Sequence, residues 1–383
     1  MADLKLSVAV MYHPSRETAA KALAAQCAEL SPRLVADPDP TGPPSPLRTA
    51  KRAWAACPAE ATHHLVLQDD VVLAKDFVAH LKAAIRQRPG HGIALYVNRN
   101  SPRNSYLFRR AAALGVPWAP LSRHEYTPTL GFLLPAGHAR ALAARLAEVP
   151  DEFRDDDEVV TVFCRERGVR VVAVVPSLID HGDLPSVAGN DDHGVRHAVA
   201  FADHAGIDPS SWAEGSPDGV AWPWPGLPYT LELHDSRCLI RFARPASAEP
   251  VDNLFGWYWH DWCDLLGVVA DEVVDGWTAY MEDISLFKPV SVAGLVFPYS
   301  AALEVWAAGY ILGFDVCSSR PGSRPPDPVS PTFRAGVASW LAAGLSGEDE
   351  ARLDSYGRAE LADMCVAGFR AGCAATVLVA SLE

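Results

Sequence analysis

Residues 63–73 read HHLVLQDDVVL, and this stretch decides the fold that we predict. Residues 64–67 are a short apolar run of the kind that forms a buried strand in a parallel sheet. Two adjacent carboxylates, Asp69 and Asp70, follow at once. Carboxylates at the end of a buried strand need a charged partner, a metal ion or a ligand. The stretch therefore predicts both a buried strand and a binding site at its carboxyl end.

The sequence on both sides of this stretch alternates between strand and helix patterns. Strand patterns occupy residues 6–11, 33–36, 93–97, 130–134 and 169–175. Between them, apolar residues recur every three or four positions, as on one face of a helix, for example at residues 77–85 and 137–146. Such alternation predicts an α/β domain with a mostly parallel sheet that is flanked by helices.

The character of the sequence changes after residue 210. Residues 211–228 are rich in Pro and Trp and have neither a helical nor a strand period, so we expect a linker there. It would join a first domain, residues 1–210, to a mainly α-helical domain, residues 229–383. A chain of 383 residues with 49% hydrophobic residues can form two cores. The second domain has no evident role beyond being a candidate surface for self-association.

Charge and cysteine usage restrict the partners and the compartment. The chain has 33 Lys and Arg against 47 Asp and Glu, a net charge of -14, which repels phosphate backbones and anionic membranes. We expect its densest basic pair, Arg109 and Arg110, on a solvated surface. The sequence starts directly with a strand pattern and has no apolar run of about 20 residues. With eight scattered cysteines, these features predict a cytoplasmic protein with reduced thiols and no membrane partner.

The two adjacent aspartates can do different work, because successive side chains on a strand point in opposite directions. One carboxylate can hold a divalent cation while the other accepts a hydrogen bond from a ribose or sugar hydroxyl. A cation that bridges diphosphate oxygens neutralises the charge that develops when a sugar departs from them. By position, Asp70 is the metal candidate and Asp69 the donor-binding candidate. Capping of the next helix is the alternative role for this pair.

Residues 63–73 resemble the acidic DxD-type signature of GT-A glycosyltransferases, in the variant with two adjacent aspartates after a glutamate. Gln68 stands at the leading position here, so one acidic contact is lost. Residues 171–190, VVAVVPSLIDHGDLPSVAGN, resemble the late GT-A pattern of a strand, Pro-Ser-Leu, a His and a Ser-bearing loop. The resemblance implies that His181 binds Mn²⁺ or Mg²⁺ together with Asp70, and that Ser186 contacts the acceptor.

The same resemblance implies further site residues. Residues from the end of the first strand to the third strand would bind the donor: His13, Ser15, Arg16, Asp37, Arg48 and Arg52. A solvated surface position is the alternative for each of them. Asp156 and Asp157 resemble the acidic helix start that supplies the catalytic base in many inverting enzymes, and favourable charge at a helix N-terminus is the alternative. Gly131 would let the acceptor approach the backbone closely.

These expectations combine into a Rossmann-like GT-A domain that transfers a sugar from a UDP- or GDP-linked donor to a hydroxyl acceptor, with inversion. The resemblance covers residues 5–202, and the phrases HPSR, LVLQDDV and PSLIDHGDLPS are most similar to glycosyltransferase-like proteins of actinobacteria and their phages. The alternatives are a non-catalytic nucleotide-sugar or carbohydrate-binding protein on the same scaffold, which Gln68 favours, a phage-type DNA-base glycosyltransferase, and a metal-dependent nucleotidyltransferase. A nucleic-acid acceptor stays open, although the net charge disfavours strong duplex binding.

The predicted helical domain contains an aromatic segment, WYWHDW, at residues 257–262. Aromatic faces stack on sugar rings, so this segment can be read as a grip for the acceptor. Packing in the core is the alternative, because Trp259 and Trp262 share one face at helical spacing.

Overall fold

The computed structural model describes residues 4–122, 124–185, 187, 195–205, 207, 229–242, 256–287, 297–319, 328 and 330–380. The chain forms two compact units. The first consists of Met1–Asn98 and Glu125–Gly219, and the second of Arg99–His124 and Val220–Glu383. The predicted linker, residues 211–228, lies outside the described residues. Residues 99–124, which we had expected in the first domain, cluster with the second unit.

The described strands run in chain order as follows: β1 (Leu6–Tyr12), β2 (Arg33–Ala36), β3 (His63–Gln68), β4 (Val71–Leu73), β5 (Gly92–Ala94), β6 (Trp118–Pro120), β7 (Gly131–Pro135), β8 (Val171–Val174), β9 (Ile179–His181), β10 (Tyr229–His234), β11 (Arg237–Phe242) and β12 (Trp257–Tyr258). The described α-helices are α1 (Glu17–Gln26), α2 (Pro46–Ala55), α3 (Phe77–Gln87), α4 (Asn104–Ala113), α5 (Ala136–Glu148), α6 (Asp157–Glu166), α7 (Ala202–Ala205), α8 (Trp259–Trp262), α9 (Ala270–Phe287), α10 (Tyr299–Ser318), α11 (Pro331–Gly344), α12 (Gly347–Ala351) and α13 (Ser355–Ala380). Short 3-10 turns connect some of them.

Six strands of the first unit lie in one sheet in the order β2-β1-β3-β7-β5-β8. β1 is parallel to β2 and β3, and β5 is parallel to β8. β7 lies antiparallel between β3 and β5. The chain is therefore α/β with a mostly parallel sheet and a helical C-terminal region, and this part of the prediction is confirmed.

The core of the first unit explains why its central strands are continuous apolar runs. Leu65 and Leu67 on β3 are fully buried, as are Ala9 and Val10 on β1. Full burial of one leucine side chain contributes roughly 1.5–3 kcal/mol. On α2, Trp54 is buried edge-on against Phe132 of β7, with ring centroids 6.1 Å apart. The sheet is thus covered by the apolar face of an amphipathic helix.

The strand order creates one position that is suited to a ligand. The chain leaves β1 towards β2 on one side, whereas it leaves β3 towards β5 on the other side. The carboxyl ends of β1 and β3 therefore flank a topological switch point, where open α/β sheets bind their ligands. A separate two-stranded sheet pairs β4 with β9 antiparallel. That pairing places the residues that follow β3 beside Ile179–His181.

The second unit contains a three-stranded sheet, β10-β11-β12, and a pair of long helices. β10 and β11 pair antiparallel and form a hairpin over residues 229–242. The aromatic segment has two environments. Trp259 is 2% exposed and belongs to the core, whereas Trp257 and Tyr258 on the edge strand are 36% and 42% exposed.

Helices α10 and α13 approach each other through glycines. A Cβ at Gly309 would lie 2.1 Å from the carbonyl oxygen of Cys365, and one at Gly313 would lie 2.0 Å from that of Phe369. Gly368 and Gly372 face the backbone of α10 in the same way. Among the described helices, α10 is the one with the length and apolar composition of a membrane span. Of its most apolar 18-residue stretch, 72% is buried inside the protein. Its apolar surface is thus used in helix packing.

The expectation of a solvated basic pair on α4 was wrong. Arg109 and Arg110 are 0% and 1% exposed. The Arg110 Nε donates to Asp315 Oδ2 at 2.9 Å, and the Arg109 Nε donates to the carbonyl oxygen of Gly336 at 2.8 Å. Burial lowers the pKa of Arg109 to about 9. The sequence pattern misled us because paired buried arginines look like surface arginines when their partners lie more than 200 residues away.

Candidate functional site

The end of β1 meets the first aspartate directly. The two strands are in parallel register, with Met11 beside Gln68. This register places the backbone N–H of His13 where it donates to Asp69 Oδ2 at 3.0 Å. The His13 ring is held by Ser15, since Nδ1 and the Ser15 hydroxyl lie 2.6 Å apart. Three residues that we predicted for donor binding are therefore together at the switch point.

Arg16 binds both aspartates. Its Nη1 donates to Asp69 Oδ1 at 2.9 Å and to Asp70 Oδ2 at 3.2 Å, and its Nη2 donates to the carbonyl oxygen of Pro185. The arginine side chain is 12% exposed and the aspartates are 8% and 9% exposed. Burial raises the pKa of Asp69, as does the charge of Asp70, while the Arg16 guanidinium opposes this shift. The guanidinium is the main described counter-charge of this pair.

The β4–β9 pairing brings His181 to Asp70. Val71 lies opposite His181 in that small sheet, and the N–H of Gly182 donates to the backbone carbonyl of Asp70 at 2.7 Å. The His181 Nε2 then lies 3.4 Å from Asp70 Oδ2. Two residues that are 111 positions apart in the sequence are therefore neighbours in the structure.

The hydrogen bond at Nδ1 of His181 determines which ring nitrogen can face Asp70 without a hydrogen. Its Nδ1 lies 2.7 Å from the Gly182 carbonyl oxygen, which can only accept, so Nδ1 carries a hydrogen. In a neutral ring, Nε2 then carries a lone pair and lies 3.4 Å from a carboxylate oxygen of Asp70. Two electron pairs at this distance repel each other unless a proton or a cation lies between them. A metal-binding histidine commonly has this tautomer, with its other nitrogen held by a backbone carbonyl.

The residues present fit a divalent cation that also needs ligands from a substrate. Asp70 Oδ1 is buried and accepts no hydrogen bond from the described residues. Within the described part of the chain, no group of three or more His, Cys, Asp or Glu side chains could hold a metal. Mg²⁺ sites commonly use one or two carboxylates and take the remaining ligands from phosphates and water. Asp70 and His181 could hold such an ion, with a diphosphate completing the site.

Asp37 and Arg48 form a second ion pair, largely shielded from solvent, after β2. The Arg48 Nε and Nη2 donate to the two carboxylate oxygens at 2.8 Å and 2.9 Å, and Nη2 also donates to the Asp39 carbonyl at 2.7 Å. Burial opposes ionisation of Asp37, but the Arg48 hydrogen bond and charge outweigh it and lower the pKa of Asp37. Arg48 is thus engaged in holding the turn after β2. Arg52, one helical turn later on α2, is exposed.

Asp156 lies at the same edge of the sheet as the aspartate pair. The Thr129 hydroxyl donates to Asp156 Oδ1 at 3.4 Å. Thr129 precedes β7, whose first residue, Gly131, pairs with Leu67 at the end of β3. Because β7 is antiparallel to β3, the residues before β7 and after β3 meet at one edge. The contact with Thr129 therefore places Asp156 at the edge of the sheet where β3 ends and β7 begins.

Two neighbouring carboxyl groups at the start of α6 have raised pKa values. Burial raises the pKa of Asp156 to about 7, and the charge of Asp157 adds to the shift. Burial likewise raises the pKa of Asp157 to about 6, although the N–H of Glu158 donates to it and opposes the shift. Asp156 is 5% exposed, and its side chain does not cap the helix. A carboxyl that titrates near neutral pH can accept a proton from a substrate.

The remaining predicted residues have other surroundings. A Cβ at Gly131 would lie 2.3 Å from Ile179 Cδ1 and 3.2 Å from Leu67 Cδ2, so packing alone explains this glycine. Ser186 lies outside the described residues. The sequence reading missed Asp180, whose Oδ1 accepts from the N–H groups of His181 at 2.9 Å and Ala198 at 2.6 Å. An acid directly before the predicted metal-binding histidine was the available signal.

One edge of the sheet thus carries a carboxylate pair, an imidazole and a carboxyl group that titrates near neutral pH. Asp69, Asp70 and His181 are held by backbone groups and by Arg16, and Asp156 by Thr129. This set can bind a cation with an anionic ligand and can accept a proton nearby. No protein-family model and no curated protein matches this sequence.

Proposed function

We propose that this protein is a metal-dependent glycosyltransferase that moves a sugar from a nucleotide diphosphate sugar to a hydroxyl acceptor. The observation that carries the proposal is the contact between His181 Nε2 and Asp70 Oδ2 at 3.4 Å. The Nδ1 of this histidine is held by a carbonyl oxygen, which leaves Nε2 as a ligand atom. A buried carboxylate oxygen without a described partner lies on the same aspartate. These are features of a cation site that is completed by a substrate.

Asp70 and His181 would hold Mn²⁺ or Mg²⁺, and the bound ion would neutralise the charge that develops on the leaving diphosphate. The backbone N–H of His13 fixes the orientation of Asp69, which leaves this carboxylate at the edge where a ribose or sugar hydroxyl would bind. Arg16 supplies the positive charge closest to both aspartates. The switch point between β1 and β3 is where a nucleotide would bind in an open α/β sheet.

Asp156 is the base that we assign to an inverting reaction. The base must remove the proton of the acceptor hydroxyl as that oxygen attacks the anomeric carbon. Its pKa of about 7 makes Asp156 a stronger base than an ordinary aspartate while leaving it largely ionised above neutral pH. Asp157 has a pKa of about 6 and is the alternative base.

The finer assignments belong to the proposal as well. A mostly parallel sheet with one antiparallel strand, β7, next to the acidic pair supports a GT-A type of Rossmann-like domain. The donor would be UDP- or GDP-linked. A cytoplasmic location is supported by the cysteines, all eight of which are free thiols.

Hydrolysis of the donor tests the proposal without knowledge of the acceptor. The purified protein would be incubated with Mn²⁺ and a panel of UDP- and GDP-sugars, and release of nucleoside diphosphate would be measured. We expect release with at least one donor, and its loss in Asp70→Asn and His181→Ala. The matched control is Asp203→Asn, because Asp203 is an aspartate of the first unit whose Oδ1 accepts from the N–H of Lys75 at 2.7 Å, outside the site. Absence of both hydrolysis and donor binding across the panel would refute the proposal.

A non-catalytic nucleotide-sugar-binding protein is the second candidate. It is favoured by the Arg16 ion pairs, which neutralise much of the charge of Asp69 and Asp70 without a metal. The neutral Gln68 before the two aspartates also favours a non-catalytic binding protein, because one acidic contact is missing there. This candidate predicts tight binding of a nucleotide sugar that is independent of Mn²⁺ and is followed by no turnover. Calorimetry with and without a chelator separates the two functions.

A further inference from the structure

Arg16 and the proposed metal compete for one oxygen atom. Asp70 Oδ2 accepts a hydrogen bond from Arg16 Nη1 at 3.2 Å, and the same oxygen lies 3.4 Å from His181 Nε2. A cation held by this oxygen and by Nε2 would lie beside the guanidinium. All three side chains are 12% exposed or less, so water screens their charges weakly. A guanidinium and a divalent cation would therefore repel each other strongly there.

The guanidinium has a chemically equivalent partner in the proposed donor. Arginine binds phosphate oxygens with the same two-pronged geometry with which it binds carboxylates. A nucleoside diphosphate would bring several anionic oxygens, enough for the metal and for Arg16 together. Departure of Arg16 from the pair would also break its hydrogen bond to the Pro185 carbonyl, which water can replace.

We propose that Arg16 is an internal counter-cation that neutralises Asp69 and Asp70 until a nucleoside diphosphate draws it away and the metal takes its place. The inference rests on the proposed function, because it needs the metal site of Asp70 and His181. It adds that metal and nucleotide bind with positive coupling, and that Arg16 strengthens this coupling beyond what the diphosphate oxygens on the ion provide. By linkage, the nucleotide tightens the metal by the same factor by which the metal tightens the nucleotide.

Binding of Mn²⁺ alone and of Mn²⁺ with UDP or GDP tests this coupling. Titrations followed by calorimetry, and by the electron paramagnetic resonance of free Mn²⁺, give the dissociation constant without any turnover. For the wild type we expect weak binding of Mn²⁺ alone and at least about tenfold tighter binding with the preferred nucleotide, within the usual range of allosteric coupling. In Arg16→Gln, Mn²⁺ alone should bind about tenfold more tightly, and the coupling should be smaller than in the wild type by about the same factor, leaving the part that comes from diphosphate oxygens binding the ion directly.

Two further variants keep the test interpretable if Arg16→Gln folds poorly. Arg16→Lys retains the charge but loses the planar fork, so its coupling should lie between the other two values. Arg145→Gln removes an arginine that forms an exposed ion pair with Glu148 at 3.5 Å, and it should behave as the wild type. Thermal unfolding of each variant confirms that it is folded.

The outcomes separate the inference from the proposed function. If Mn²⁺ binds in a manner that depends on Asp70, but with the same affinity in the wild type and in both Arg16 variants, the inference is overturned and the metal site stands. Coupling in Arg16→Gln that equals the wild-type value has the same meaning. If no form of the protein binds Mn²⁺ with or without nucleotide, the metal site itself is absent and both proposals fall.

Discussion

The hydroxyl of Thr129 donates to Asp156 Oδ1 across 3.4 Å and thereby ties the start of α6 to the residue that precedes β7. A hydroxyl donor stabilises the ionised carboxyl, yet burial outweighs this contact and holds the pKa of Asp156 at about 7. The carboxyl of Asp156 should therefore influence the pH dependence of the proposed sugar transfer and the pH dependence of folding.

The rate of sugar transfer should rise with pH and level off above about pH 7. Asp156 must be ionised to accept a proton, and with its pKa of about 7 the ionised fraction increases about tenfold per pH unit well below that value. Asp156→Asn should remove transfer while Mn²⁺ and nucleotide binding persist. Initial rates between pH 5 and pH 9 would be measured against Asp203→Asn, an aspartate of the first unit that binds the N–H of Lys75 outside the site. A flat profile would contradict the role of Asp156.

Stability should fall as pH rises from about 4 to about 7. The folded pKa of Asp156 lies above its ordinary value of 3.8, so the folded state holds its proton where the unfolded state has lost it, and stability decreases with pH in this window. A rise of about three pKa units corresponds to at most about 4 kcal/mol. Asp156→Asn should therefore be less sensitive to pH than the wild type when urea unfolding is compared at pH 5 and pH 8. An unchanged difference between the two pH values would show that Asp156 titrates normally.

The pair of Asp37 and Arg48 should be strongly coupled in stability. The two side chains are 10% and 11% exposed and are joined by two hydrogen bonds, and removal of one partner leaves the other as a largely buried charge without its main partner. We expect Arg48→Met and Asp37→Asn each to destabilise by about 3 kcal/mol, and the double variant to lose much less than the sum. Urea unfolding of the four proteins completes the cycle. Additive losses would mean that the two charges act independently.

The close approach of α10 and α13 should not tolerate a side chain at its glycines. Gly309→Ala would place a Cβ 2.1 Å from the carbonyl oxygen of Cys365, and backbone atoms can relieve this overlap only if the helices separate. We expect a loss of about 3 kcal/mol. The control is Gly137→Ala in α5, where nothing lies within 4 Å of the added Cβ. That variant should be neutral or more stable by about 0.5–1 kcal/mol in thermal unfolding, because alanine favours the helix.

The fold of the first unit could be read from the sequence to a large extent, because its strands are apolar runs and its helices have one apolar face. The predicted strand at 64–67 is His63–Gln68 in the structure, and the predicted helix at 137–146 is Ala136–Glu148. The strand predicted at 93–97 is shorter, Gly92–Ala94. The sequence did not indicate that residues 99–124 belong to the second unit, since no composition change marks a segment whose partners lie 200 residues away.

The site could be read in part. The acidic end of β3 was identified because carboxylates next to a buried strand need partners, whereas His181 was identified through the resemblance of residues 171–190 to the late GT-A pattern. The structure brings His181 Nε2 to 3.4 Å from Asp70 Oδ2. The contact of Arg16 with both aspartates depends on the register of β1 against β3, which local pattern does not fix. The engagement of Arg48 with Asp37 likewise depends on how the chain turns after β2. Pairings of this kind follow from tertiary structure, not from residue type.

Arg99–His124 belongs to the second unit but lies between the two segments of the first unit in the sequence. This arrangement restricts how the two units can be expressed as separate proteins. Every residue of α4 is buried, and its arginines bind groups on α10 and α11. A fragment that stops at residue 210 would carry this helix without those partners and would expose its apolar surface, which favours aggregation. During synthesis on the ribosome, α4 likewise emerges long before the helices that bury it. A soluble first unit would therefore need a short loop in place of residues 99–124, and the excised helix would have to be joined to the C-terminal segment.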